Sequence, residues 1–284
     1  MTTNIRTFDT INTVFPHYVH SVLATLQENG FEAYIVGGSV RDALLNKPIG
    51  DIDITTNATP TDIETIFPHH IATGKAYGTI TVIVENNQIE ITTYRSETGY
   101  SDSRHPDTVI FEKTIDKDLA RRDFTINALA YNPITQKHID LFDGLLHLKS
   151  NQLVVIGDAK KRFEEDSLRL LRLCRFASQL NFNIESASLQ AFNDSATVLP
   201  LPAKERIHTE LNKLIHSTHP KNGLKLLSSS KLGERLITGF SKCSLTLFDY
   251  MHKIDKDRKW AALLQKCDQK NYFKQLAFSK KEQQ

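Results

Sequence analysis

The sequence predicts an α+β protein in which strands and helices share the first half and helices alone fill the second. Three observations predict it. A short apolar run, Ala33 to Val36, meets Gly37-Gly38, and a helical pattern begins directly afterwards. Thr79 to Val84 and Gln88 to Tyr94 alternate around Asn86-Asn87, the pattern of a hairpin with one buried face. From Pro202 onward apolar residues recur at helical spacing, as in Ile207, Leu211, Leu214 and Ile215.

Composition bounds the function classes. The 284 residues suffice for roughly one to three domains with a real core. Hydrophobic content of 40% and charged content of 24% are those of a globular chain and exclude a disordered one. The net charge is only +2, so any grip on nucleic acid must come from local clusters. Cys174, Cys243 and Cys267 are far apart and odd in number, which excludes a disulfide framework or a zinc finger and predicts a reducing, cytoplasmic setting. No apolar run is long enough to span a membrane, and Met1 to Asn12 carries neither a signal-peptide core nor an Arg-rich transit pattern.

The elements follow in order. Val19, Val22, Leu23 and Leu26 mark a packing helix stopped by Gly30. Ala33 to Val36 is the first strand and Val40 to Leu45 the next helix, with Ser39 expected as its cap and Asp42 three residues on, as in a capping box. A helix start after a Gly-Gly turn presents free N–H groups and a positive dipole end, which suits a phosphate. Asp51 to Ile54 reads as a strand with Ile52 and Ile54 toward the core and Asp51 and Asp53 sharing the opposite face. Two such acids are costly side by side unless a cation joins them, and hard oxygen ligands favour Mg²⁺. A phosphate cradle beside a divalent-metal dyad predicts nucleotidyl or phosphoryl transfer.

Thr59-Pro60-Thr61-Asp62 starts a further helix with Pro at its first position. In the hairpin, Ile89, Ile91 and Thr93 share one face and Glu90 and Thr92 the other. Arg95 to Val109 is polar and aperiodic, a long loop. Leu119, Ile126 and Leu129 give the buried side of a helical segment that carries the charge cluster Arg121, Arg122, Asp123. Asp166, Arg169, Arg172 and Arg175 recur every third residue, a charged stripe on one helix, with Leu168, Leu171 and Phe176 on its apolar side.

That stripe fits a chemistry. Cytosine and adenine each present an exocyclic amine beside a ring-nitrogen acceptor, which Asp166 and Arg169 would pair. Uracil and guanine present the reverse order and would leave both side chains unpaired, at roughly 1–3 kcal/mol each. Lysines and arginines from Lys221 to Lys281 make the last third locally basic, suited to RNA phosphates. Plainer alternatives stay open: a solvated helix face for the stripe, a surface acid for Glu90, an ordinary loop for 95–109.

Tyr34-Ile35-Val36-Gly37-Gly38-Ser39-Val40-Arg41-Asp42 followed by Asp51-Ile52-Asp53 resembles the nucleotidyltransferases of the DNA polymerase β superfamily. With the unbroken Arg-Arg-Asp-Phe-Thr-Ile-Asn-Ala of Arg121 to Ala128 and the Glu-Asp-x-x-Arg of Glu165 to Arg169, the chain is similar to the class II tRNA nucleotidyltransferase (CCA-adding) and bacterial poly(A) polymerase family over nearly its whole length. The resemblance implies a polymerase β-like head with a mixed five-stranded sheet over 1–145, an all-helical neck holding the base template over 146–215, and a shortened helical, tRNA-binding body over 216–284. It implies CMP and AMP addition from CTP and ATP to the tRNA 3′ end with two Mg²⁺ ions, and no protein partner.

By the same resemblance Asp51 and Asp53 hold the metal, and Glu90 is the candidate third carboxylate. Gly37, Gly38 and Arg41 cradle the triphosphate. Arg122 contacts phosphate or sugar through its guanidinium fork, and Asp123 holds the ribose or orients the arginine. Asp166 and Arg169 choose the base, and Arg172 and Arg175 bind phosphates or base. Asp102 and Arg104 match the family's flexible loop, which matters for adding the terminal A and leans toward CCA or A addition. His147 and Val154 depart from the family, which usually has an acid and an arginine there. Family members run on into a helical tail that grips the tRNA elbow. A weaker tRNA grip is therefore expected, the chain being either a naturally short enzyme or a piece of a longer one. An A-adding specialist, a poly(A) polymerase and a catalytically silent RNA-binding protein stay open as alternatives.

Overall fold

The structure, a computed structural model, describes residues 5–99, 107–243, 245–265 and 276. The chain divides into two compact units, the first ending at Ser150 and the second beginning at Asn151.

The first unit opens with a 3₁₀ turn, Phe8–Val14, and helix α1, His17–Glu28, whose Val19, Val22, Leu23 and Leu26 are fully buried. Strand β1 (Ala33–Val36) leads into α2 (Gly38–Leu44), then β2 (Asp53–Thr56) and α3 (Pro60–Ile66). Four strands follow it: β3 (His70–Ile71), β4 (Thr79–Val84), β5 (Asn87–Thr93) and β6 (Arg95–Thr98). Next come β7 (Thr108–Phe111), α4 (Ile115–Ala120), β8 (Leu129–Asn132), β9 (Lys137–Asp140) and α5 (Gly144–Lys149).

Seven strands form one sheet in the order β3-β4-β5-β2-β1-β8-β9, and β6 pairs with β7 apart from it. The sheet is mixed: β2 and β5 run parallel, and the other neighbours run antiparallel. The expected five strands become seven. β3 is two residues long, too short to show a period. β8 lies within a stretch that reads as helix: α4 ends at Ala120, residues Thr125–Asn127 form a 3₁₀ turn, and Leu129 starts a strand. Pairing of Ile35 with Tyr131 and of Val36 with Ala130 overrides the local helical spacing.

Two local expectations hold and two shift. Thr59 and Asp62 cap α3 reciprocally, with the Asp62 N–H donating to Thr59 Oγ1 at 3.3 Å and the Thr59 N–H to Asp62 Oδ2 at 2.9 Å. Ile89, Ile91 and Thr93 are buried while Glu90 is exposed; the turn residues Glu85 and Asn86 both take positive φ, 51° and 61°, as a tight hairpin requires. β2, however, starts at Asp53, because its partner β1 ends at Val36; Asp51 sits in the bend before it. Gly37, not Ser39, precedes α2, at φ 77° and ψ −135°, where a side chain would be strained. Ser39 lies inside the helix and its hydroxyl donates back to the Val36 carbonyl at 3.1 Å.

The second unit is helical apart from a parallel pair of two-residue strands, β10 (Gln152–Leu153) and β11 (Asn183–Ile184), a small departure from the all-helical expectation. Its first helices are α6 (Ala159–Glu165), α7 (Leu168–Leu180), α8 (Ser186–Ser195) and α9 (Lys204–Ile215). They are followed by α10 (Pro220–Ser229), α11 (Leu232–Leu236), α12 (Leu245–Tyr250) and α13 (Lys259–Leu264). No helix among the described residues is long and apolar enough to cross a membrane.

α7 is the axis of this unit, with Leu170, Leu171, Leu173, Cys174 and Ala177 buried. α10 approaches it through Gly223. A Cβ there would stand 2.5 Å from the Cys174 carbonyl oxygen and 2.5 Å from Ser178 Oγ, which accepts from the Gly223 N–H at 2.8 Å. Gly223→Ala should force the two helices apart and lower the unfolding free energy by about 1–3 kcal/mol in urea denaturation. A loss below about 0.5 kcal/mol would show that α10 can retreat freely.

Candidate active site

β1 ends in the Gly37-Gly38 turn, and the strands on either side bring the other motifs to that end. Val36 opposes Asp53 on one side and Ala130 on the other. The N–H of Gly37 donates to the Leu129 carbonyl at 3.3 Å. On the far side of β2, Asp53 is the register partner of Glu90, so the two carboxylates share a face on neighbouring parallel strands. Burial pushes the Asp53 carboxyl up to about 6. The charge of Arg122 pulls it down, and Glu90 and then Asp51 push it up again. Asp51, Asp53 and Glu90 thus form one electrostatic group, although Asp51 is outside the strand.

Arg122 lies over the turn: a Cβ on Gly37 would meet its Nη1 at 3.2 Å. Its Nη2 donates to Asp118 Oδ2 at 3.1 Å, and its Nε is buried with no hydrogen-bond partner. Asp118 is fully buried and also accepts from Arg121 through Nε and Nη2, at 3.0 and 2.8 Å, and from the Thr55 hydroxyl at 3.3 Å. Burial raises the Asp118 carboxyl, but the two guanidiniums outweigh it and hold the group below the usual range. Arg121 reaches on to Glu97 Oε1 at 3.0 Å.

Arg41 is buried and held on two edges. Asp42 accepts from its Nε and Nη2 at 2.9 and 2.8 Å, and Asn127 Oδ1 accepts from its Nη1 at 2.6 Å. Asn127 in turn donates to Asp123 Oδ1 at 3.0 Å, which also accepts from the Phe124 N–H at 2.8 Å. Gly38 packs against the same guanidinium, with Arg41 Nη2 at 3.4 Å from where its Cβ would be.

A second cluster lies in the second unit. Asp166 is not on the helix that carries the arginines: it sits in extended conformation (φ −142°, ψ 103°) between α6 and α7, and its Oδ1 accepts from the Leu168 N–H at 3.0 Å. Its carboxylate is held by both arms of Arg206, at 3.1 and 2.7 Å. Arg169 pairs with Glu165 at 2.5 Å and donates to the Arg162 carbonyl at 2.8 Å. Glu210 stands 2.7 Å from Arg175 Nε and 3.9 Å from Arg172 Nη1, and both guanidiniums lie over the Phe176 ring at 4.2 and 5.3 Å. Arg206 and Glu210, both on α9, therefore find their partners on other segments: Asp166 before α7, and Arg172 and Arg175 on α7. Asp102 and Arg104 lie outside the described residues.

The residues that sequence reasoning left out are Asp118, Asn127, Arg206, Glu210 and Glu165. Asp118 carries a readable signal, an acid four residues before Arg122 on a helical turn. Arg206 carries none, because its partner is 40 positions away.

A glycine turn opening a helix, neighbouring acids on a mixed sheet and an arginine over the turn are the fold and site of a nucleotidyltransferase head. Residues 33–154 match the poly A polymerase head domain family, and 181–243 match the family described as the probable RNA and SrmB-binding site of polymerase A. The chain belongs to this family of class II nucleotidyltransferases, the one that contains the CCA-adding enzymes.

A CCA-adding enzyme of Lactobacillus helveticus (strain DPC 4571) is 45% identical over 213 residues, 75% of this chain and 53% of that enzyme. One of Lactococcus lactis subsp. cremoris (strain MG1363) is 43% identical over 250 residues, 86% of this chain and 62% of that enzyme. The crystal structure of the Bacillus stearothermophilus CCA-adding enzyme in complex with CTP superimposes with a TM-score of 0.82 at 30% identity, covering 93% of this chain and 66% of that one. The chain spans 53% and 62% of the lengths of these two relatives.

Asp118→Ala should leave Arg121 and Arg122 without their shared, fully buried carboxylate and cost about 3–5 kcal/mol of stability in urea unfolding. A cost under about 1 kcal/mol would show that Glu97 alone suffices to hold the arginines.

Proposed function

We propose that the chain joins a nucleoside monophosphate from CTP or ATP to the 3′ end of tRNA, as in CCA addition or repair. The observation that carries this reading is the pairing of Asp53 with Glu90 beside a glycine turn overlaid by Arg122. The relatives that are called CCA-adding enzymes support the choice of tRNA and of these two nucleotides. In the reaction the 3′-hydroxyl oxygen bonds to the α-phosphorus, the bond from that phosphorus to the β-phosphate oxygen breaks, and pyrophosphate leaves.

Magnesium fits the acids present. Asp53 is half-buried; burial, joined by the charges of Glu90 and Asp51, pushes its carboxyl up against the pull of Arg122, and a hard dication relieves such a group. Among the described residues no three His, Cys, Asp or Glu side chains form a ready-made cage. That suits an ion held by one or two carboxylates and completed by substrate phosphates. Asp51 and Asp53 would hold it, with Glu90 beside them. With two such ions bound, one would lower the pKa of the attacking hydroxyl and the other would neutralise the leaving pyrophosphate.

The chain's own residues do the rest. The Gly37-Gly38 turn lets the triphosphate approach the backbone, Arg122 meets its oxygens through a rigid fork, and Arg41 braces the turn. Asp123 takes the ribose. Asp166 and Arg169 read the base, with Arg172 and Arg175 beside them; the bidentate grip of Arg206 holds the Asp166 carboxylate in plane. In this reading 1–145 is the catalytic head, 146–215 the neck and 216–284 a tRNA-contacting body. Buried thiols at Cys174 and Cys243 suit a reducing, cytoplasmic compartment.

Incubation with single nucleotides and tRNA ending before CCA, after C and after CC tests the proposal. Extension of all three ends supports CCA addition, extension of the CC end alone identifies an A-adding specialist, long A tracts identify a poly(A) polymerase, and no incorporation leaves only an RNA-binding role. Asp53→Ala should reduce incorporation by about 10³-fold or more, with an unchanged circular dichroism spectrum; full activity refutes the metal assignment. Asp166→Ala should weaken the preference for CTP and ATP over UTP and GTP by about tenfold or more. Unchanged selectivity removes the base-reading role.

A further inference from the structure

The amide of Asn127 links two charged side chains that come from separate motifs. On one side Oδ1 accepts from Arg41 Nη1 at 2.6 Å; on the other Nδ2 donates to Asp123 Oδ1 at 3.0 Å. Asn127 is 5% exposed, Arg41 7% and Asp123 8%, so water does not substitute readily for these bonds. The partners fix the amide's orientation. A guanidinium only donates and a carboxylate only accepts, so a reversed amide would oppose donor to donor and acceptor to acceptor. Arg41 has its other edge on Asp42, and the series Asp123, Asn127, Arg41, Asp42 alternates acceptor and donor without a break.

Few side chains can occupy the middle of that series. An aspartate would set two carboxylates against each other with no hydrogen between them. A leucine of similar size would leave both charged neighbours unpaired in a buried place. A serine is too short to reach both. The chain also holds Asn127 firmly: it closes the 3₁₀ turn Thr125–Asn127, and its N–H donates to the Phe124 carbonyl at 2.9 Å.

We propose that Asn127 is a positioning residue that locks Asp123 and Arg41 into one orientation, so that the ribose and the triphosphate of an incoming ribonucleoside triphosphate are placed together. This rests on the nucleotidyl-transfer reading above. Its signature is coupling: one uncharged substitution, touching no substrate atom, disturbs both triphosphate affinity and the choice of ribose over deoxyribose. A merely structural asparagine would change the amount of folded protein and nothing else.

The test uses the full chain with Asn127→Asp, Asn127→Leu and the amide-keeping variant Asn127→Gln, compared on CTP and dCTP with a tRNA end that accepts C. Thermal unfolding and circular dichroism establish that each variant is folded. Asn127→Asp and Asn127→Leu should raise KM for CTP about tenfold, with a smaller fall in kcat and a reduced preference for CTP over dCTP. Asn127→Gln keeps an acceptor and a donor on one amide, and its KM and sugar preference should lie nearer those of the unaltered chain than those of Asn127→Asp do. Should Asn127→Leu fail to fold, the contrast between Asn127→Asp and Asn127→Gln decides the matter.

KM and sugar preference both within about twofold of the unaltered chain in the folded variants would overturn the proposal while leaving the function standing. Should the unaltered chain extend no tRNA end, Kd for Mg-CTP by calorimetry replaces KM in the same comparison. Binding that Asn127→Asp weakens more than Asn127→Gln does would still uphold the positioning role, and no binding at all would overturn both readings.

Discussion

The site depends on the register of one buried strand. β1 is four residues long and buried throughout, with β2 on one side and β8 on the other. Its last residue, Val36, faces Asp53 and Ala130 at once. The next residue, Gly37, takes a backbone conformation closed to residues with a side chain, and there the chain leaves the sheet for α2. Three stretches far apart in sequence therefore meet at one point: the glycine turn, the acid that begins β2, and the Arg122–Asn127 turn that precedes β8. A slip of one residue in the β1–β2 ladder would send Asp53 to the core face and Ile54 to the cleft. Burial of Ile35, Ile54 and Ile91 opposes that slip, so the hydrophobic pattern that folds the head also aims its acids.

Charge is handled in the same manner in both units. The near-neutral net charge conceals arginines that are each tied to a carboxylate before any substrate arrives. Arg121 and Arg122 share Asp118; Arg41 has Asp42; Arg169 has Glu165; Asp166 has Arg206; Arg175 and Arg172 have Glu210. Breaking such a pair by removing one member leaves an uncompensated charge in a poor solvent, which is why these sites tolerate little drift. The planar guanidinium loses less freedom per bond formed than an ammonium would, and it offers its remaining N–H groups in fixed directions. The pairs act as a frame that sets where those directions point.

How much of this was legible follows from range. Patterns within a few residues were readable: the apolar run into Gly37, the alternation that puts Glu90 opposite Ile89 and Ile91, the helix start with Pro60 at its first position, and the Arg-Arg-Asp turn. The strand at Leu129 was not, because Leu119, Ile126 and Leu129 keep helical spacing and only pairing with β1 decides between the two. Asp166 keeps the spacing of Arg169, Arg172 and Arg175, yet it lies before α7 in an extended conformation. Period alone does not reveal a break that leaves the count intact. Ser39 is a good capping residue by type, but the positive φ of Gly37 moves the helix start two residues earlier and turns the hydroxyl back to Val36. Arg206 and Glu210 have the spacing of a same-helix pair, and tertiary packing gives each a partner elsewhere.

The two arginines nearest the glycine turn are unequal, and in the proposed function the inequality bears on which of them would meet the triphosphate. Arg41 has Nε, Nη1 and Nη2 all engaged, two of them by an adjacent carboxylate that cancels its charge at close range. Its field at the turn is small, and its service is to hold shape. Arg122 is attached through Nη2 to an acid it shares with Arg121, and its buried Nε has no acceptor. An unmet donor of this kind costs about 1–3 kcal/mol in the folded state, more where the group is charged. Natural folds keep such defects chiefly where a ligand removes them. Arg122 also lies against Gly37 and is the opposite charge that acts most strongly on Asp53. A polyanion entering with its cation would find there a guanidinium already placed and incompletely satisfied, while Arg41 keeps the turn from closing behind it.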